Sequence, residues 1–562
     1  MARIIPGVQV TVIKEVVPPQ LAPSGVLGLV GLVAPARPGT SRKPVERVGS
    51  WARFRELYGR ASALAMPEAQ LALQNGVFEL VVVDLASSVA QRAGAGLDFQ
   101  DVVSWLSFSA RAAGTLANGI DVVITAQRFQ GVVQGYELRV RDGDEDLEVH
   151  RNLSPFSGDE RYIGTVLDSS DSIIEVGTLA PGVTVTDYTA PVLLDEVDDS
   201  TVVAKLGGAK PVGVLTVTMV TPPGGDPATP PPPVSLQFSW VGANLEIIRD
   251  PLGANPTTLV DIDRGDPGLV HTVYGALADL DDIDLTLVVP DLSGTTSLAG
   301  GVDASVAEYT SALSLLEDVA DVDLVIASVQ DLTVERAAEI DGAVIAHCVN
   351  MSADAKGRLG FGQVPPGGDV ESDVDLAGSL VSDRFVLLAP HGVLGAAVGR
   401  IASLDYYRSP TFKSVSGLGV LEPELRTETQ RSYLRANIVP VAQLPGRGNA
   451  IVRGLTTDGD QINVRRIADR AVRGVKQIGE LFIGKLNTED GRNALKQKLS
   501  EFLLQMQSDN AIVPSTDGSD PAFKLDVYSS QADFALGIVR VDLAVRPVRA
   551  IDYIYATVLV QV

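Results

Sequence analysis

Both ends of the chain are uninterrupted β-type runs, whereas termini are normally the polar, frayed part of a folded unit. Ile5-Pro6-Gly7-Val8-Gln9-Val10-Thr11-Val12-Ile13 opens the sequence, and Tyr553-Ile554-Tyr555-Ala556-Thr557-Val558-Leu559-Val560-Gln561-Val562 stands at the other end. A strand carries a row of backbone N–H and C=O groups that must be hydrogen-bonded, in its own sheet or by joining a sheet in another molecule. Both options are open at the level of sequence, and the second makes the chain a candidate polymer subunit.

At 562 residues the chain is long enough for several cores, since roughly 150 residues per domain gives about three or four. Its 45 % hydrophobic and 20 % charged content is that of a globular protein. No apolar run approaches the roughly 18 residues of a membrane span. Pro6-Gly7 lies where the apolar core of a secretory signal would develop, so no such signal is expected and the cytoplasm is the expected place of synthesis. The formal charge of −25 sets the whole surface against nucleic acid and anionic membrane. The segment 453–498 departs from that balance, with ten Lys/Arg against six acids.

The element pattern is mixed. Val26 to Val33 is a glycine-broken apolar run that predicts a buried strand, and Ser50-Trp51 to Tyr58-Gly59 predicts a helix with a serine cap and a terminating glycine. A second helix is predicted from Pro67 to Gln74, then a buried strand over Phe78–Leu85. From about Trp105 to Val176 the period changes to two, with a hairpin turn at Asp142-Gly143. Residues 185–290, around the proline-rich 222–233 stretch, read as an inserted all-β module. The α/β pattern returns with Ser305–Leu316, Val322–Ser328 and Val334–Asn350; amphipathic helices follow at Asn463–Gly484 and Ala494–Met506, then alternating strands.

Candidate chemistry is sparse. The four histidines (150, 271, 347, 391) form no metal-spaced set, and the single cysteine, Cys348, excludes an intramolecular disulfide and reads as a buried structural residue. The acids Asp279, Asp281, Asp282 and Asp284 lack the glycine and closing glutamate of a calcium loop. Gly446-Arg447-Gly448 does not continue into a dinucleotide-binding spacing, and there is no phosphate loop, nucleophile elbow or zinc helix. No catalytic residue, cofactor or metal is expected, and the chain is expected not to be an enzyme.

Pro6-Gly7-Val8-x-Val10, Gly28-Leu29-Val30-Gly31, Ser50-Trp51-x-x-Phe54-x-x-Leu57-Tyr58-Gly59 and Asn75-Gly76 follow one another in the first part of the chain. Leu298-Ala299-Gly300-Gly301-x-Asp303, Arg453-Gly454-Leu455-Thr456-Thr457, Asn463-Val464-Arg465-Arg466-Ile467 and Val545-Arg546-Pro547-Val548-x-x-Ile551 follow later. In this order the chain resembles the contractile tail-sheath family of phages and phage-tail-like injection systems. It departs at Pro390-His391-Gly392-Val393, where the family has P-P-S-G, and at the 185–290 module, which has no counterpart.

The resemblance implies an α+β and α/β multidomain chain: a tail-sheath-like core built from N- and C-terminal segments, with inserted β-rich domains and extended terminal β-arms. The corresponding division is 1–20 and 547–562 as linking arms, 21–95 with 298–450 as the α/β sheath domain, 100–184 as a middle β-domain, 185–290 as an outer module, and 451–546 as a tube-facing domain. The implied function is a structural sheath subunit in stacked hexameric rings around an inner tube protein. Baseplate and terminal cap proteins are the further partners, with no nucleic acid and no membrane insertion. Contraction would drive the tube through a target envelope.

The alternative is a β-rich surface or adhesion protein acting through 185–290. In the sheath reading Val8, Val10 and Val12 form one arm face and Tyr553, Tyr555 and Leu559 the other. Ile467, Ala471, Val475, Ile478 and Phe482 form a core stripe on the first amphipathic helix. Arg466, Arg470 and Arg473 recur on another face of it, as a row suited to carboxylates on the tube.

Overall fold

The computed structural model describes residues 25–36, 41–99, 102–129, 132–153, 161–176, 293–421 and 423–553, together with isolated strands between 188 and 288. Its centre is an eight-stranded sheet in the order Val45–Val48, Glu79–Asp84, Val26–Gly31, Leu324–Ala327, Leu359–Gln363, Phe385–Ala389, Val439–Leu444, Gly448–Ile451. The two outermost strands pair antiparallel and the inner ones parallel. A parallel sheet is covered on both faces, which is why its strands read as continuous apolar runs. Val26–Gly31, Leu324–Ala327 and Phe385–Ala389 are buried at every position.

Neighbouring residues on these strands point into opposite cores. Val30, Val81, Val325 and Leu387 pack with Tyr309, Leu313, Ile340, Val344 and Leu376 of the helices on one face. Leu29, Val82, Ile326 and Val386 pack with Phe54, Leu57, Met66, Leu394 and Val398 on the other. Ser50 caps the first helix, its hydroxyl accepting from the Arg53 N–H. Gly59 does not terminate that helix, contrary to the sequence expectation. Its φ of 75° breaks the turn, and the chain resumes helical geometry to Ala65 because Ala61 and Ala65 are buried on the far side of the kink.

After Glu79–Asp84 the chain leaves this body to build two smaller sheets. One is ordered Gly294–Ser297, Asp121–Phe129, Val132–Asp142, Glu145–Leu153, and the other Gly94–Phe99, Val102–Ala110, Ile174–Val176. The Val132–Asp142 and Glu145–Leu153 strands turn at Gly143-Asp144, with Gly143 at φ 55° as a tight hairpin requires. Their shared core includes Phe108, Ile120, Ile124, Tyr136, Leu138 and Leu167. The described residues of the 185–290 stretch are all strands, in two antiparallel sheets. The cluster Asp279, Asp281 and Asp282 lies outside the described residues.

The C-terminal part contains helix Ile462–Glu480, helix Glu489–Ser508 and an antiparallel hairpin of Phe523–Tyr528 and Arg540–Val545, with the short helix Gln531–Ala535 between its strands. The two long helices touch at Gly474, where a Cβ would lie 2.2 Å from the Phe502 ring. No helix among the described residues is long and apolar enough to cross a membrane.

Candidate assembly site

An open α/β sheet binds ligands at the carboxyl ends of its strands, where the winding reverses. Here the reversal falls between Val26–Gly31 and Leu324–Ala327, and the chain's own side chains fill it. Glu68 accepts from the Ser328 hydroxyl at 2.6 Å, and the Tyr309 hydroxyl lies 2.9 Å from the Ser328 carbonyl and 3.0 Å from Asp303. Asp303 also accepts from the N–H groups of Gln330 and Asp331, both at 3.1 Å, and from Arg336 at 3.0 Å. All four central side chains, Glu68, Asp303, Tyr309 and Ser328, are buried, and burial raises the Glu68 carboxyl above its ordinary pKa. Asp303, quoted in the Gly300-Gly301-x-Asp303 motif, thus serves to close the crevice.

The expectation that Cys348 is a buried structural residue agrees with its surroundings. Cys348 is buried, and desolvation pushes its thiol up to about 12. His347 lies 2.6 Å from a guanidinium nitrogen of the fully buried Arg358, and burial with that charge lowers it to about 4. No group of His, Cys, Asp and Glu suited to a metal occurs among the described residues.

The C-terminal hairpin is the open element. Phe523, Leu525 and Val527 on one strand and Val541, Leu543 and Val545 on the other face the helices, against Ile467, Ile478, Leu495, Leu499 and Leu503. Lys524, Asp526, Tyr528, Arg540, Asp542 and Ala544 face outward. The inward residues are only partly buried. The cause is the width of the sheet: neither strand pairs with a further strand among the described residues. A two-stranded sheet shields its apolar face poorly and leaves one backbone edge of each strand unpaired. Ile483, Leu486, Phe534 and Leu536 are exposed in the turns around it.

The chain after the hairpin is held against the body rather than along either hairpin edge. Asn463 donates to the Val548 carbonyl at 3.1 Å, and Gln461 exchanges bonds with the Ala550 backbone at 2.8 and 3.1 Å. Asp552 accepts from Gln461 at 2.8 Å and from Arg453 at 2.9 Å. Tyr553 is therefore positioned, its ring 5.2 Å from the Arg453 guanidinium and largely exposed. Val8, Val10, Val12, Tyr555 and Leu559 lie outside the described residues. Sequence reasoning missed the Arg453–Gln461–Asp552 clasp, because its members are polar residues far apart in the chain with no periodic signal.

The arginine row requires a correction. Ile467, Ala471 and Ile478 are buried and Val475 and Phe482 partly so, as expected of the core stripe. Arg466, Arg470 and Arg473, expected to face the tube, instead face the α/β body. Arg466 is buried and donates to the carbonyls of Ile401 at 2.9 Å and Leu404 at 3.2 Å. Arg470 lies over the Tyr406 ring at 5.6 Å, and Arg473 binds Asp323 together with the carbonyls of Val322 and Gly357. Arg465 and Arg384 join the same seam through Asp469, at 2.9 and 3.1 Å. The i, i+4, i+7 spacing places side chains on one face but does not say which neighbour covers that face.

These observations define a closed α/β body carrying, at its C-terminal end, a two-stranded β-unit whose outer strand edges are unpaired among the described residues. Residues 456–561 match the family model of the phage tail sheath C-terminal domain, so this part of the chain carries a domain of that family. The chain is similar to the sheath tail protein of Listeria innocua, at 12 % identity over 94 % of this chain and 93 % of that one, with a TM-score of 0.44. For the sheath tail protein of Desulfitobacterium hafniense the values are 12 %, 92 %, 93 % and 0.41. A sheath complex of an extracellular contractile injection system, in its contracted state, aligns at 15 % identity over 48 % of this chain and 76 % of that one, with a TM-score of 0.39. No curated protein matches the chain significantly.

Proposed function

We propose that the chain is the structural subunit of a contractile sheath, of a phage tail or a phage-tail-like injection particle, with no catalytic role. It polymerises as stacked hexameric rings around an inner tube, between a baseplate and a terminal cap, and is assembled in the bacterial cytoplasm. The observation that carries this reading is the C-terminal hairpin, whose two strands have open outer edges over a half-covered apolar face. Added strands would pair those edges and complete the cover, which is how a sheet recruits a second chain. The terminal runs supply such strands: Val8, Val10 and Val12 at one end, and Tyr553, Tyr555 and Leu559 at the other. The clasp on Asp552 sets where the second arm leaves the body.

In this reading the body moves as a rigid unit when the lattice contracts, and the shared strands act as retained hinges. A body with a filled switch-point crevice and two covered sheet faces suits that role. Electron microscopy of the full-length chain produced with its tube protein tests the proposal. Striated cylinders are expected, and they should disappear when residues 1–14 are removed. Monodisperse particles with and without those residues would overturn it and direct attention to the 185–290 module.

A further inference from the structure

The bonds that hold the tail behind the hairpin lead into the central sheet. Val548 donates to the Ala511 carbonyl at 2.9 Å and accepts from Asn463, and Arg549 pairs with Asp460 at 2.7 Å. Ala550 exchanges two bonds with Gln461, and Asp552 accepts from Gln461 and Arg453. Apart from Ala511, these partners all lie in the loop 453–463. That loop is closed on itself, with the Thr456 N–H on the Asp460 carbonyl at 2.9 Å, and Thr457 pins it to the body. The Thr457 N–H donates to the Phe385 carbonyl at 2.9 Å; its hydroxyl donates to the Leu380 carbonyl at 2.6 Å and accepts from the Ser382 N–H at 2.9 Å. Gly454 lets the loop lie against Pro410, where a Cβ would come within 2.3 Å of the ring. Phe385 opens a strand that has neighbours on both sides in the eight-stranded sheet.

Tension on the chain beyond Tyr553 must therefore pass through these bonds before it reaches Arg540–Val545. The order matters, because that strand pairs only with Phe523–Tyr528 among the described residues, and a two-stranded ladder is marginal on its own. A pull entering at the strand would open the weakest part of the domain first. The clasp is better placed to resist it. Gln461 and Thr457 are both buried, and the Arg453–Asp552 bond is charge-assisted, the stronger kind.

We infer that the Arg453-Gly454-Leu455-Thr456-Thr457 motif, with Gln461 and Asp552, is a load anchor that carries tension from the C-terminal arm into the central sheet and spares the hairpin. This rests on the sheath reading above, in which that arm links one subunit to another and so transmits force between them. Arg453 and Gln461 act on the arm through Asp552 and Ala550, and Thr457 passes the load to the Phe385–Ala389 strand. The hairpin is then free to pair with added strands while the root of its own arm stays fixed.

Constant-force pulling on the isolated full-length chain tests the anchor. One handle is attached at the C-terminus and the other through Gly378→Cys, an exposed helix position where a Cβ meets nothing; Cys348 is buried, out of reach of the label. Asp552→Ala removes the bonds from Arg453 and Gln461, and because it lies on the tail beyond the last strand its thermal midpoint should match the parent's. Under load, the lifetime before the first rupture should fall about ten-fold, the scale of one lost charge-assisted hydrogen bond. Gln461→Ala should act in the same direction. Equal lifetimes in the parent and Asp552→Ala would overturn the anchor, whatever becomes of Gln461→Ala. A shorter lifetime accompanied by a midpoint lowered by several degrees would overturn it too, by assigning Asp552 to general stability. The measurement needs no assembly, so it is separate from the microscopy above: missing cylinders would sink the sheath reading, and an unchanged lifetime the anchor.

Discussion

The central sheet and the C-terminal hairpin are both β-structure, yet they finish their burial differently. In Leu324–Ala327 and Phe385–Ala389 every residue is buried, because helices cover both faces and other strands cover both edges. In Phe523–Tyr528 and Arg540–Val545 burial alternates between partial and none, because one face is wet and two edges are open. The first region is complete within one chain. The second is held firmly to it yet left unfinished, and that combination is what an assembly subunit needs.

The attachment between the regions is the place where one substitution should do most harm. Asp469 accepts from Arg384 and Arg465 within the buried seam. Asp469→Ala leaves both guanidiniums short of a partner and should cost about 3–5 kcal/mol, the range for breaking a buried pair. Urea unfolding of the isolated subunit measures it; a loss under about 1 kcal/mol would mean that the seam does not hold the C-terminal domain in place.

A matched pair of truncations sharpens the contrast. Ile326→Ala empties a site that is wholly buried and should cost about 2–5 kcal/mol in the free subunit. Leu543→Ala removes a half-covered side chain and should cost about half as much or less, since the loss scales with the area withdrawn from water. If the hairpin is completed by added strands, the Leu543→Ala penalty should grow in the assembled particle while that of Ile326→Ala stays constant. Unfolding midpoints of both variants, free and assembled, make the comparison.

How far the sequence disclosed these regions follows from the same contrast. Doubly covered strands announce themselves as apolar runs, so Val26–Gly31 was readable, as was the serine cap at Ser50. The short edge strands Val45–Val48 and Gly448–Ile451 were not, because their place depends on a neighbour rather than on their own pattern. The arginine row was legible as a face and illegible as a contact: nothing in its spacing shows that Ile401 and Leu404 cover it. The hairpin's alternation was readable, but its open edges are a property of the sheet and appear only in three dimensions.

The closed region also carries a carboxyl whose pKa is raised by burial. Asp341 sits on helix Val334–Ala353 beneath the sheet, and a Cβ on Gly362 would lie 2.3 Å from its carboxyl oxygen. Desolvation pushes its pKa up to about 8, against about 3.9 in an unfolded chain. Between those values the folded state holds a proton that the unfolded state has released, so stability declines as pH rises from about 4 to about 8. Asp341→Asn should remove that part of the slope, leaving the variant's thermal midpoint above the wild type's at pH 8 and level with it near pH 4. Parallel curves for the two proteins would show that the carboxyl does not titrate in this window.

Amide hydrogen exchange offers the mildest perturbation and the most direct view of the comparison. Exchange requires an amide to open to water, and the free energy of opening ranges from near zero at frayed edges to the global stability in a core. Amides of Leu324–Ala327 have strands on either side and should exchange only by global unfolding. In the hairpin, only those amides bonded across to the other strand are protected by the ladder; the outward-pointing ones on each strand have no ladder partner and should exchange rapidly in the free subunit. Strand addition would engage the outward set first. Assembly should therefore slow alternate residues of 523–528 and 540–545 and leave the central strands unchanged. Uniform slowing along the hairpin would point to a helix or loop lying over it instead, and no change at all would place the partner contact elsewhere on the C-terminal domain.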